Sequence, residues 1–127
     1  MLNKISNEFT EQNLSFNRFG IFYRNREPKI FWLGAEENTH LNRLQKRIEE
    51  DCLQFGYAKE KRNFHPHLTL LRIKGREEIS QLEKMKESKI VAINFTAKTI
   101  SLMKSELKPS GSIYNTIKSF DLRKTEE

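Results

Sequence analysis

A chain of 127 residues is one domain by length and can bury a modest core. Its 36% hydrophobic and 31% charged residues describe an ordinary globular protein on the polar side; it has no membrane span and no secretory apolar core in its first residues, so a cytoplasmic location is expected. The net charge of +6 favours polyanionic partners such as RNA without identifying one, while the single cysteine, Cys52, excludes an internal disulfide, and no metal site is expected.

Residues 1–12 carry Leu2, Ile5 and Phe9 at helical spacing and read as a helix remnant or a leader. From Asn13 to Phe22, the apolar residues Leu14, Phe16, Phe19, Ile21 and Phe22 predict a strand, bulged around Arg18 to Gly20. The polar run Arg24 to Pro28 holds a proline that a central strand excludes, so it turns the chain into a second strand at Ile30-Phe31-Trp32-Leu33. Asn38 or Thr39 can cap a helix in which Leu41, Leu44, Ile48, Cys52 and Phe55 recur every three or four residues, ended by Gly56. Its opposite face, with Arg43, Lys46, Arg47, Glu49 and Glu50, reads as solvated surface.

A strand over Phe64 to Lys74 comes next, then a helix over Arg76 to Glu87 with Ile79, Leu82 and Met85 inward. Ile90 to Leu107 is rich in β-branched residues and predicts one long strand, and Lys108-Pro109-Ser110-Gly111 turns it into a last strand over Ser112 to Leu122. The polar tail 123–127 is expected to be disordered. The order strand, strand, helix, strand, helix, strand, strand, with a hairpin at each end, makes a single α+β domain.

The stretch Phe64 to Lys74 is the one built for chemistry. Side chains alternate along a strand, so His67 and Thr69 share a face, roughly 6 to 7 Å apart. His67 can move a proton near neutral pH and the Thr69 hydroxyl can donate to a phosphate oxygen. Leu68 and Leu70 take the opposite face, suited to packing under a helix. His65 shares the His67 face and reads as a mouth or surface residue, and His40 has no threonine two residues on and reads as surface. Phe64 and Tyr114 either stack a base or belong to the core. A His-x-Thr pair alone occurs often by chance; its specificity comes from the residues around it, FHPHLTLLR.

With those neighbours the segment resembles the second signature of the two-histidine phosphoesterases, in the family of RNA 2′,3′-cyclic phosphodiesterases or 2′-5′ RNA ligases. FGIFYRNREPKIFWLGA, the helix from Thr39 to Phe55, FGYAKEKRNFHPHLTLLRIK and SLMKSELKPSGSIYNTIKSFDL resemble successive elements of that family, covering nearly all of the chain from Phe16 onward. The resemblance implies a fold of two lobes facing each other across a cleft, each lobe giving one His-x-Thr motif. Only one such motif is present here, so the sequence is similar to the C-terminal two thirds of such a protein, one lobe and part of the other. A missing N-terminal segment or a homodimer would complete it.

The resemblance further implies that two histidines share acid and base duties with no metal or other cofactor, that an RNA or nucleotide 2′,3′-cyclic phosphate opens to a 2′-phosphate, and that some members also join 2′-5′ ends. His67 would be one acid or base, Thr69 a phosphate ligand, and Arg72 a phosphate-binding arginine. Strict alternation sets Arg72 opposite His67, so a bulge or strong twist has to bring it round. The competing expectation is a noncatalytic RNA- or nucleotide-binding half domain, because one histidine of the pair is missing.

Overall fold

The structure is a computed structural model and describes residues 1–125. By its contacts the chain forms two compact units.

The unit comprising Asn13–Thr39 and Arg62–Phe95 is built on a hairpin. Strand β1 (Gln12–Arg24) turns at Asn25 and Arg26, both at positive φ, into β2 (Glu27–Ala35). Two central residues with positive φ make the turn whose twist matches the right-handed twist of paired strands. Strand β3 (His67–Arg72) lies antiparallel to the other side of β2, and a short β4 (Ile93–Ala97) flanks β1, giving the order β3-β2-β1-β4. Between β3 and β4 runs a helix over Ile79–Glu87.

One face of this sheet is apolar by alternation. Ile21, Phe31 and Ile73 are buried there with Phe19, Leu71, Ile79 and Leu82 against them, and Phe16, Leu33 and Ala35 form a second buried group with Leu14, Phe19 and Ile90. Phe19 stacks on Phe31 at 5.3 Å. Each large side chain removed from water here contributes roughly 1.5–3 kcal/mol before chain entropy is charged against it.

The other unit comprises Met1–Gln12, His40–Lys61 and Thr96–Glu127. It opens with helix α1 (Leu2–Glu8), which buries Ile5 and Ser6 and packs against the long hairpin of β5 (Thr99–Lys108) and β6 (Gly111–Asp121). Helix α2 (Thr39–Cys52) buries Leu44 and runs into a 3₁₀ turn over Leu53–Phe55; Gly56, at φ 87, stops it. Arg47 of α2 bonds Glu8 of α1 and Asp51 one turn further on. The guanidinium beside it holds the Glu8 carboxyl below its ordinary range, and Glu8 in turn raises Arg47. The helix in the first unit is α3 (Ile79–Glu87).

The architecture is α+β, as the sequence leads one to expect, with differences that have local causes. The long strand expected over Ile90 to Leu107 is two strands, because the chain breaks at Lys98 between β4, in the four-stranded sheet, and β5, in the hairpin. The strand expected over Phe64 to Lys74 is only His67–Arg72: Pro66 has no N–H to donate at its start, and the N–H groups of Lys74, Gly75 and Arg76 turn to the Glu77 carboxylate at its end. Leu68 and Leu70 do not pack under a helix; they are 51% and 50% exposed on an edge strand. Phe55, expected inward, is exposed because the tighter 3₁₀ turn carries it off the α-helical stripe. Met85 is exposed as well, only Ile79 and Leu82 of α3 reaching the core. Arg123, the first residue of the tail read as disordered, bridges to Thr10, its N–H donating to the Phe9 carbonyl at 3.0 Å; residues 126–127 lie outside those described.

Candidate active site

The face of the sheet away from the apolar core can be laid out from strand register. Arg18 of β1 stands opposite Gly34 of β2, and Gly34 opposite His67 of β3. The next row is Gly20, Trp32 and Thr69, and the third is Phe22, Ile30 and Arg72. Residues directly opposite each other in antiparallel strands point to the same side, and Ile30, Trp32 and Gly34 alternate along β2. His67, Thr69 and Arg72 therefore share one face, although odd and even numbers should not.

The cause is a β-bulge. Between Phe31↔Leu71 and Trp32↔Thr69 the register slips, leaving Leu70 as an extra residue on β3. One extra residue reverses every later side chain, turning Leu71 inward to the core and Arg72 outward beside Thr69. A second slip, at Asn17 between Phe16 and Arg18, does the same for β1 and sets Arg18 on this outer face.

The floor of the face is aromatic. The Trp32 indole lies flat across the two strand glycines: a Cβ built on Gly20 would come within 2.0 Å of its Cζ2, and one on Gly34 within 2.4 Å of its Cζ3. Those two residues are glycine because the ring occupies the space a side chain would need. Phe22 sits 5.1 Å from Trp32 and meets the His67 ring edge-on at 4.9 Å, with Trp32 to His67 at 6.2 Å.

His67 is exposed and its ring is held from two sides. Besides the aromatic contact, its Nδ1 lies 2.6 Å from the carbonyl oxygen of His65. A carbonyl can only accept, so Nδ1 carries the hydrogen and Nε2 is the nitrogen left to exchange a proton with a ligand. Thr69 and Arg72 are exposed, and among the described residues neither Arg72 nor Arg18 forms an ion pair. At the end of β3, Glu77 accepts from Lys74, Gly75 and Arg76 at 3.0–3.1 Å, and those bonds, that of Lys74 foremost, hold its carboxyl below the ordinary range.

The other two candidates are not in these strand rows. Phe64 is in the exposed loop before β3 with no ring partner among the described residues, and Tyr114 is exposed on β6 of the other unit, opposite Ser105. Neither belongs to a buried core. His65 precedes the strand and takes part through its main-chain carbonyl. Sequence reading missed Arg18, Phe22 and Trp32 as lining of this face. The available signal was Gly20 and Gly34, since glycine inside a strand marks a close approach.

The chain is 31% identical over 112 residues to an RNA 2′,3′-cyclic phosphodiesterase of Aeropyrum pernix, covering 86% of this chain and 64% of that protein. It is 32% identical over 113 residues to one of Methanothermobacter thermautotrophicus, covering 86% and 60%. A third, of Geobacillus stearothermophilus, is 30% identical over 87% of this chain and 35% of its own length. The chain thus spans between about a third and two thirds of these relatives. Its fold matches the crystal structure of a Thermus thermophilus protein with a TM-score of 0.74 at 20% identity, over 98% of this chain and 68% of that one, and a phosphoesterase with a TM-score of 0.62 at 19% identity, over 97% and 67%. A family model also matches residues 1–109, and with it the question of kinship closes: the chain belongs to the 2′-5′ RNA ligase superfamily.

Proposed function

We propose that the outer face of β3 is one half of a cyclic phosphodiesterase site that opens an RNA 2′,3′-cyclic phosphate to a 2′-phosphate. The observation that supports this most is the bulge at Leu70, which puts a proton-transfer group, a hydroxyl donor and a guanidinium, His67, Thr69 and Arg72, on one side of one strand. In the reaction, water attacks phosphorus, one general base takes its proton, the P–O3′ bond breaks, and a general acid protonates the departing O3′. His67 exchanges its proton through Nε2, while Thr69 and Arg72 bind the phosphate oxygens on which charge builds. None of these roles needs a metal, and a cytoplasmic role in RNA processing, with some 2′-5′ joining, belongs to the same reading. Phe64, in the loop before β3, is a candidate base-stacking residue within it.

Of the three histidines only His67 has a threonine two residues on, so the second proton-transfer group has to come from another segment or another copy. That observation favours a second reading, a half domain that binds RNA ends without turning them over. The two are separated by incubating an RNA with a 2′,3′-cyclic end with this chain in chelator, alone and with the N-terminal third of a relative supplied in trans. Turnover gained only on complementation supports the half-site; binding without turnover in either arm supports the noncatalytic module, and failure to bind the end at all excludes both.

A further inference from the structure

We infer that Arg18 binds a second phosphate of the ligand, the phosphodiester one nucleotide before the cyclic end, and so makes this face select an RNA chain over a mononucleotide. The inference rests on the reading of the His67 face as a cyclic-phosphate site. Arg18 occupies the His67 row, with Gly34 between them, because the slip at Asn17 turns it to the outer face. The Arg18 stem borders the space over Gly34 that the Trp32 ring fills, its Cγ lying 3.4 Å from where a Gly34 Cβ would be. The side chain is exposed and has no carboxylate partner among the described residues, so its fork of donors is uncommitted.

Arg18 and Arg72 do not serve one phosphate. They stand on the two strands that flank β2 and two rows apart, which at ~4.8 Å between strands and ~3.4 Å per residue separates their backbones by about 17 Å. Between them lies the flat Trp32 ring, over Gly20 and Gly34. Arg72 is beside Thr69 and goes with the cyclic phosphate; Arg18 is across the row from His67, about 10 Å away at the backbone, and meets the ligand at a different point. A polyanion with two phosphates satisfies both, and a mononucleotide satisfies one.

Trp32, the single tryptophan, lies under this face and reports binding by its fluorescence. The experiment titrates the intact chain with adenosine 2′,3′-cyclic phosphate and with adenylyl-adenosine 2′,3′-cyclic phosphate, in wild type, Arg18→Gln, Arg18→Lys and Arg72→Gln. Arg18→Gln weakens the dinucleotide about tenfold and removes about 0.7 from its log–log salt slope, leaving the mononucleotide within about twofold. Arg18→Lys, which keeps the charge and loses the fork, falls between. Arg72→Gln weakens both ligands alike. Equal effects of Arg18→Gln on the two ligands, or none, overturn the inference while leaving the site in place. A wild-type chain that binds neither ligand overturns the reading of the site, and the inference with it.

Discussion

His67 combines an exposed ring with a fixed tautomer, and its side chain adds little to either buried cluster. In the complemented enzyme, His67→Ala is therefore expected to lower kcat by roughly 10²- to 10⁴-fold with the thermal unfolding curve nearly unmoved; near-normal turnover would remove His67 from the chemistry. Thr69→Ala, which loses a hydrogen bond to phosphate and no proton transfer, is expected to cost less, about tenfold in kcat/KM. His67 and Thr69 are legible in the sequence because a period of two needs no knowledge of neighbours. Arg72 is named by the resemblance, but its direction is not legible, since it depends on Leu70 being skipped by β2, which only the pairing decides.

The strands and turns around that face carry their own tests. Gly20→Ala puts a Cβ into the Trp32 ring, which cannot slide aside without disturbing Phe22 and His67. The variant is expected to lose about 1–3 kcal/mol in denaturant titration and to shift the tryptophan emission; unchanged emission would mean that the ring is not held against the strand. At the far end of β3, the Glu77 carboxylate gathers three main-chain N–H groups, which bond its ionised form and lower its pKa from the ordinary 4.5. A folded pKa below the unfolded one means stability that is fully present above about 4.5 and is lost as the pH falls through the lowered value. Glu77→Gln should therefore be less stable than wild type at pH 7, with the gap closing on acidification. A gap independent of pH would show that the ionised carboxylate is not what ties the turn.

Taken as a whole, the chain leaves apolar surface open. β3 is an edge strand with Leu68 and Leu70 half exposed, and the β5–β6 hairpin exposes Leu102, Met103, Ile113 and Ile117. Unpaired edges and apolar patches favour pairing with another chain. Self-association at micromolar concentration, measured by sedimentation, is the expected outcome, and a peptide carrying the N-terminal elements of a relative should convert it to a one-to-one complex. A stable monomer indifferent to that peptide would instead mark a self-sufficient half domain. Turnover by the chain alone should be close to nil, and robust metal-independent turnover by a demonstrated monomer would sink the half-site.

Local rules were enough for much of this molecule. The helix from Thr39 with its stop at Gly56 and the His67-Thr69 pair follow from periodicity and from the φ that glycine accepts, which are properties of a few consecutive residues; the turn expected over Arg24 to Pro28 is tighter, at Asn25 and Arg26, because Pro28 is taken into β2 opposite Tyr23 at a register slip. What needed the tertiary structure is everything that depends on which residue a strand chooses as its partner. The break at Lys98 divides one β-rich run between two sheets, and the slips at Asn17 and Leu70 reverse the faces of Arg18 and Arg72. A bulge leaves the composition of its strand unchanged and alters only the register, so the cationic face is written in pairing across strands and not along the chain.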